Sequence, residues 1–200
     1  MEKEILSLYE KKKSDIQNRL RDFQILHPNN YLKEHIFCLL TPQSNAHKCW
    51  EAVEIFFAQK PTSVEQIAEI LKTKTRFHNT KARRVIVALS VWDETKKLLD
   101  NKNIFELRNE LAEKINGYGL KEEGHFLRNI GKSNSEIAIL DRHILRNLKL
   151  LRLISEEKIK NRKNYFEVEK IFKDYSLRTG IPMDELDLLF WSKENGTIFK

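Results

Sequence analysis

The feature that most constrains this fold is a glycine turn placed between two helical segments. Gly117 and Gly119 stand one residue apart, after a helical run over 105–114 and before another over 121–130. Glycine adopts positive φ without strain and leaves backbone N–H groups uncovered by a side chain. Together with the N-terminus of the following helix, such N–H groups suit a single phosphate. The sequence therefore predicts a helical hairpin that holds a phosphate.

Two reactive side chains flank this turn. Lys121 follows it directly, and Asp141 stands near the start of a later helical run. A phosphate-binding turn, an amine and a carboxylate brought to one place would form a reaction site. However, a glycine pair between helices is also a common way to turn a corner, and a lysine at a helix start is usually a solvated charge. Spacing alone therefore favours the structural interpretation.

The rest of the chain also predicts helices. Apolar residues recur mostly three, four or seven positions apart over 2–23 and again over 165–177, which is the period of an amphipathic helix. The strongly apolar stretch 32–40 predicts a buried helix. With only six glycines and four prolines and no alternating β pattern of any length, the sequence indicates long helices with few elaborate loops. We therefore predict an all-α fold.

Polar residues predict where several helices begin. Thr41 is expected to cap the helix that follows it, and Ser63 with Gln66 forms a capping-box pattern. The polar run 133–136 is expected to start a helix over 137–154.

Charge and cysteine content narrow the function classes. The net charge of +7 and pI near 9.3 indicate an anionic partner, most simply nucleic acid. The two cysteines, Cys38 and Cys49, lie in apolar surroundings and are expected to be buried free thiols. Two thiolates cannot hold an iron–sulfur cluster, which takes four. The sequence has neither a membrane span nor a signal peptide, so we expect a cytoplasmic protein.

Two further segments carry candidate DNA contacts. The basic stretch 72–84 holds six Lys or Arg residues around one aromatic, Phe77. Such a run is most often a solvated face, but an aromatic among cations also suits stacking on a base beside phosphates. Gln43 and Asn45 are candidates to contact a DNA strand, although polar amides at a helix junction are usually caps.

These pieces together resemble the helix-hairpin-helix DNA glycosylases. The hairpin of that superfamily reads hydrophobic-x-Gly-hydrophobic-Gly-x-Lys followed by Asp-x-His, which stands here at 115–121 and 141–143. Along essentially its whole length, the chain is similar to the archaeal-type 8-oxoguanine DNA glycosylase/lyase, the second family with that activity. The similarity rests also on Leu-Thr-Pro-Gln-Ser-Asn at 40–45, Arg-Phe-His-Asn at 76–79, His-Phe-Leu-Arg-Asn-Ile-Gly at 125–131 and Trp-Ser-Lys-Glu-Asn-Gly at 191–196.

The resemblance implies a two-lobed all-α domain over 1–200, with the active-site cleft between helical lobes. The central lobe would span about 32–130, and the second lobe would combine the N-terminal helix with about 131–200. It also implies a bifunctional repair enzyme acting as a monomer on double-stranded DNA that contains 8-oxoguanine. No metal or other cofactor is expected, because none of the six histidines falls in a metal-binding spacing.

The predicted chemistry follows from the substrate. Breaking the N-glycosidic bond gives the sugar oxocarbenium character, which an ionised Asp141 can stabilise. A neutral Lys121 amine can attack the anomeric carbon and form an imine, after which β-elimination cuts the strand on the 3′ side.

Recognition residues follow mainly from the resemblance. The extruded base would be sandwiched between Phe77 and Trp191, and Lys200 would take part in recognising the oxidised purine. Without the resemblance, Trp191 would be assigned to the core of the last helix. Gln43 and Asn45 would fill the gap on the opposite strand, and Gly117, Gly119 and His143 would hold the DNA backbone, although an ordinary structural histidine is the alternative for His143.

Two other functions remain open at this level. A non-catalytic helix-hairpin-helix module could use the glycine turn merely to hold DNA. Alternatively, the chain could be a glycosylase for another lesion, such as a mismatched adenine or an alkylated purine.

Overall fold

A computed structural model describes residues 2–100, 103–114 and 118–200. Within these ranges the chain forms eleven α-helices, one short 3-10 helix (Pro28–Asn30) and no strand, so the predicted all-α fold is confirmed. The α-helices are α1 (Glu2–Gln24), α2 (Tyr31–Leu40), α3 (Ala46–Gln59), α4 (Val64–Leu71), α5 (His78–Ser90), α6 (Trp92–Leu98), α7 (Ile104–Lys114), α8 (Leu120–Asn129), α9 (Arg142–Leu150), α10 (Arg162–Thr179) and α11 (Met183–Asn195). In the described part of the chain, no helix combines the length and apolarity needed to cross a membrane.

The chain divides into two compact units. The terminal unit comprises Met1–Ile25 and Leu127–Lys200, and the central unit comprises Leu26–Phe126. The central unit thus holds α2 to α7 and the first part of α8, which contains Lys121. The terminal unit holds α1 and α9 to α11.

The central unit is built around α2. Residues 36–40 of this helix are all at most 2% exposed, and α2 packs against α3 and α5, with α4 packed on α5. The predicted buried helix is therefore confirmed. Cys38 and Cys49 are both buried thiols that are not joined in a disulfide, as expected in an apolar core.

Two predicted helix starts are wrong, and backbone geometry explains both. Thr41 is the C-cap of α2: its N–H donates to Phe37 O, and its Oγ1 donates to Cys38 O at 2.9 Å. A helix cannot begin there because Gln43 has a left-handed φ of 55°. The helix α3 instead begins after Asn45, whose Oδ1 accepts the Lys48 N–H at 3.1 Å.

The polar run 133–136 does not start a helix either. Asn134 and Ser135 have φ of 50° and 56°, outside helical geometry. The buried Asp184 carboxylate holds this turn, because its Oδ2 accepts the Ser133 hydroxyl at 2.6 Å and the Ser135 N–H at 3.0 Å. The next helix, α9, begins only at Arg142. By contrast, the Ser63–Gln66 capping box at α4 is confirmed.

The terminal unit is built around α11. This helix packs against α1, α9 and α10, and most of its residues are buried. Gly131 lies against α1 with φ of +70°, and a Cβ at this position would stand 2.6 Å from the Cα of Gln24. Only glycine fits this close approach, which explains why the stretch His-Phe-Leu-Arg-Asn-Ile-Gly at 125–131 ends in glycine.

Candidate active site

Lys121 lies in the first turn of α8, beside a carboxylate. Its Nζ is 2.9 Å from Glu122 Oε1, and the lysine side chain is 25% exposed. The other oxygen of Glu122 accepts the Gly119 N–H at 3.2 Å. Glu122 therefore links the amine to the turn that precedes the helix, and its negative charge lies where the helix N-terminus is partly positive.

Gly119 is the residue of the Gly-x-Gly pair that the structure describes. Gly119 lies outside the left-handed region, so this residue does not use the positive φ that glycine permits. A Cβ on Gly119 would stand 3.1 Å from Glu122 Oε2, which is a tight contact. Glycine at this position permits the close approach of the Glu122 carboxylate. Gly117 lies outside the described residues.

A buried polar pair holds the first part of α8 in the central unit. The Tyr118 hydroxyl donates to the His35 carbonyl, and the His35 ring lies against Tyr118, Trp92 and Phe126, with centroids 4.7–5.4 Å away. The His35 Nε2 is 3.7 Å from Glu123 Oε1, and both side chains are fully buried. Burial raises the pKa of the Glu123 carboxyl, and the neighbouring His35 opposes that rise.

The sequence reasoning missed this pair, although a signal existed. Glu123 stands three residues after Leu120 and four before Leu127, so it falls on the apolar stripe of an amphipathic helix. A carboxylate on such a stripe needs a buried partner. His35 supplies it from the apolar helix α2.

Asp141 caps α9. Its Oδ1 accepts the His143 N–H at 2.8 Å and the Ile144 N–H at 2.9 Å, and the side chain is half-buried. The two N–H donors and the helix N-terminus stabilise its negative charge. No hydrogen bond to Oδ2 occurs within the described residues, so the cap fixes the carboxylate through one oxygen only.

The His143 ring points into a set of charged side chains. Its Nδ1 is 2.9 Å from Glu194 Oε2, and its Nε2 is 3.3 Å from Arg142 Nε. The same Glu194 oxygen is 3.4 Å from Arg146 Nη1. Both ring nitrogens thus contact protein groups, and a phosphate contact by His143 stays a prediction.

Phe77 and Gln43 share an unusual backbone geometry in the central unit. Phe77 is 56% exposed with φ of 57°, and Gln43 is exposed with φ of 55°. Left-handed conformations are uncommon for non-glycine residues and persist only where surrounding contacts enforce them. The Arg76 guanidinium lies 5.5 Å from the Phe77 ring centroid, so a cation accompanies the exposed aromatic as expected. Asn45, by contrast, uses its side-chain oxygen as the α3 cap.

Trp191 and Lys200 lie in the terminal unit. Trp191 is half-buried on α11, and its ring centroid is 6.2 Å from that of Phe199. The Phe199 carbonyl accepts a hydrogen bond from Arg19 Nε of α1, and Lys200 is 8% exposed. The segment that carries Lys200 is therefore docked, and the tryptophan lies beside it.

The predicted site residues are thus divided between the units. Lys121, Gly119, Phe77, Gln43 and Asn45 belong to the central unit. The terminal unit contributes Asp141, His143, Trp191 and Lys200.

An all-helical chain with a lysine in the first turn of α8 and an aspartate capping α9 has the fold class of the helix-hairpin-helix DNA glycosylases. The chain belongs to the 8-oxoguanine DNA glycosylase family, whose sequence model matches residues 16–181. It is 37% identical to the 8-oxoguanine DNA glycosylase/AP lyase of Fusobacterium nucleatum, over 98% of this chain and 96% of that protein. It is 32% identical to the enzyme of the same name from Thermoplasma volcanium, over 92% of this chain and 91% of that one.

Solved structures show the same fold. The crystal structure of the Thermotoga maritima 8-oxoguanine DNA glycosylase superposes with a TM-score of 0.90 at 28% identity, covering 99% of this chain and 97% of that one. The Methanocaldococcus jannaschii 8-oxoguanine glycosylase/lyase in complex with a 15mer DNA containing 8-oxoguanine gives a TM-score of 0.87 at 29% identity, covering 98% and 99%.

Proposed function

We propose that this protein excises 8-oxoguanine from duplex DNA and then cleaves the strand at the resulting abasic site. The observation that carries the proposal is the placement of Lys121. Its amine lies in the first turn of a helix anchored by buried contacts, in a chain whose family and relatives are named for this activity. The net charge of +7 suits a DNA substrate, whose binding would place the protein with the nucleoid.

The proposed reaction begins with extrusion of the damaged nucleotide, because the glycosidic bond is unreachable inside the stacked duplex. The Lys121 amine attacks the anomeric carbon, the N-glycosidic bond breaks, and the base leaves with a proton. The sugar ring opens to give an imine between the lysine nitrogen and the former anomeric carbon. Loss of a proton from the neighbouring carbon then breaks the bond to the 3′ oxygen, which cleaves the strand.

Asp141 has the proposed role of electrostatic partner in this reaction. The positive charge that develops on the sugar is stabilised by a fixed carboxylate. The capping hydrogen bonds hold Asp141 by Oδ1, which leaves Oδ2 to face the substrate in this proposal.

Base recognition is assigned to Phe77, Trp191 and Lys200. Phe77 is exposed beside a cation, and Trp191 lies next to the docked segment of Lys200. In the proposal the two aromatics stack on the extruded base. The oxidised purine differs from guanine mainly by an N7–H donor and a C8 carbonyl, so an acceptor in the Lys200 segment would be satisfied only by the lesion.

The remaining assignments concern the DNA backbone and the opposite strand. Gln43 and Asn45 are both exposed and are proposed to contact the strand opposite the lesion. Gly119, together with Gly117, is proposed to approach a phosphate, for which the Gly119 N–H must exchange the Glu122 carboxylate for a phosphate oxygen. His143 is likewise proposed to contact a phosphate of the DNA backbone.

Borohydride reduction of the imine tests the proposal. Wild type, Lys121→Gln and the matched surface control Lys173→Gln are each incubated with duplex carrying 8-oxoguanine opposite each of the four bases. We expect a covalent protein–DNA product from wild type and Lys173→Gln and none from Lys121→Gln. A Lys121→Gln protein that still traps DNA would refute the assignment of the nucleophile.

This trapping assay, together with excision rates measured on other lesions, separates the alternative functions. A non-catalytic DNA-binding module would give no trapped product with any protein. A glycosylase for another lesion would release mismatched adenine or an alkylated purine faster than 8-oxoguanine. We expect 8-oxoguanine to be released fastest, and removal of Lys200 to reduce that preference.

A further inference from the structure

The central unit contains a second buried lysine that the proposed reaction does not use. Lys81, near the start of α5, belongs to the basic stretch whose simplest interpretation is a solvated face, yet it is 2% exposed. Its Nζ donates to Leu40 O at 2.6 Å, to Pro42 O at 2.9 Å and to Ser44 Oγ at 2.8 Å. An ammonium has three donors, and all three are used on one loop.

The same lysine is connected to a second segment. Ser44 Oγ, which accepts from Lys81, also accepts the Arg76 N–H at 2.9 Å. The backbone N–H of Lys81 donates to Phe77 O at 3.0 Å. Lys81 and Ser44 therefore join the loop 40–44, counted from the last residue of α2, to the segment 76–77 just before α5.

These two segments carry the two left-handed residues assigned to DNA. Gln43 lies between the Pro42 and Ser44 acceptors of Lys81, and Phe77 lies between Arg76 and α5. A non-glycine residue keeps a left-handed backbone conformation only where surrounding contacts hold it there. The contacts of Lys81 and Ser44 supply that restraint on both sides of Gln43.

The buried environment of Lys81 is unfavourable for a positive charge. No carboxylate lies within ion-pair distance of it in the described residues, and carbonyl and hydroxyl oxygens alone receive its charge. Burial lowers the pKa of Lys81 to about 8; Cys49 opposes the shift, and the cations Arg84, Lys121 and Arg76 add to it. A lysine in this environment can hold several hydrogen-bond acceptors close together through the three donors of its ammonium group.

We propose that Lys81 is a positioning residue, which clamps the loop 40–44 to the start of α5 and thereby sets Gln43 and Phe77 for DNA. This inference rests on the proposed function, because it assumes that Phe77 stacks on the extruded base. Lys81 touches neither the base nor the sugar in this role.

The test compares two reactions of one protein. Excision of 8-oxoguanine needs the base stacked on Phe77, whereas strand cleavage at a preformed abasic site has no base to stack. The variants are Lys81→Met, Lys81→Arg and Ser44→Ala, with Lys173→Met as an exposed control on α10. Single-turnover rates are measured at saturating DNA for both substrates, and thermal melts report folding.

We expect Lys81→Met to lose about tenfold or more in excision, the scale of a lost base–aromatic stack. Cleavage of abasic DNA should stay within about twofold of wild type, because Lys121 is untouched. Lys81→Arg, which keeps donors and charge, should recover part of the loss. Ser44→Ala should show the same split on a smaller scale, and its effect should not add to that of Lys81→Met.

Equal loss of both reactions, or excision at the wild-type rate, would overturn the inference. If Lys81→Met fails to fold, Ser44→Ala decides, because it removes only one oxygen from the same link. Failure of the proposed function has a different signature: wild type would give no trapped product, Lys121→Gln would still trap DNA, or Phe77→Ala would excise 8-oxoguanine normally. A normal Lys81→Met beside a defective Phe77→Ala would refute the positioning role alone.

Discussion

Phe77 combines two properties that one pair of substitutions can separate. Its ring is 56% exposed, which suits a surface that stacks on a base, and its backbone has a left-handed φ of 57°. Both Phe77→Ala and Phe77→Gly remove the ring. Only Phe77→Gly also removes the Cβ that makes the left-handed backbone unfavourable.

The expected changes in excision rate and in stability follow from the lost ring and the lost Cβ, respectively. Loss of one base–aromatic stack corresponds to about 1–3 kcal/mol, so both variants should excise 8-oxoguanine roughly 5- to 150-fold more slowly. The Cβ at a left-handed position costs about 1 kcal/mol relative to glycine, so Phe77→Gly should be more stable than Phe77→Ala by about that amount. The two variants therefore share an activity defect and differ in stability.

Single-turnover excision measures the loss of base stacking, and urea denaturation measures the difference in stability. The control reaction is cleavage of preformed abasic DNA, which should change little in either variant. Equal stability of the two variants would contradict the left-handed assignment of residue 77. Normal excision by both would contradict the stacking role.

Two further predictions concern stability. Glu123→Gln should gain stability relative to wild type as pH rises from about 4.5 to 7. Burial raises the folded-state pKa of Glu123, so the protonated carboxyl stabilises the wild type most below about pH 4.5. The wild type loses this stabilisation as pH rises through the raised pKa of Glu123. Melting temperatures of both proteins across this range check the sign, and a constant difference would count against a perturbed Glu123. Gly131→Ala should destabilise the protein by about 2–4 kcal/mol, because its Cβ would stand 2.6 Å from the Cα of Gln24 at φ of +70°. Denaturation in urea measures this loss, with Gly196→Ala as a control of similar φ and open space; equal losses in the two variants would mean that the contact with α1 is unimportant.

The sequence predicted helices correctly where the signal lies within the helix itself. The apolar period of α1 and α10, the apolar run of α2 and the capping box of α4 are local signals, and each helix forms where its signal stands. The helix starts at Thr41 and at 133–136 were wrong because distant groups or left-handed residues control them. Asp184, for example, holds the Ser133 turn from about fifty residues away.

The candidate site shows the same division between local and long-range information. The motif located Lys121 and Asp141 at helix starts, and the exposed aromatic Phe77 was found from its charged neighbours. The pairing of Glu123 with His35 and the contacts of Lys81 depend on residues 88 and 41 positions away along the chain. Their partners are fixed only by tertiary packing, and a count of charges in a basic stretch does not distinguish a buried lysine from a solvated one.

The central claim is that the Lys121 amine bonds to the sugar carbon that carried the damaged base. Peptide mass spectrometry of the borohydride-reduced complex tests it directly, because reduction fixes the sugar remnant on the lysine that attacked. We predict the adduct on Lys121 in the wild-type protein, and no adduct on any lysine in Lys121→Gln. An adduct on Lys81 or another lysine in the wild type, at the normal yield, would contradict the claim.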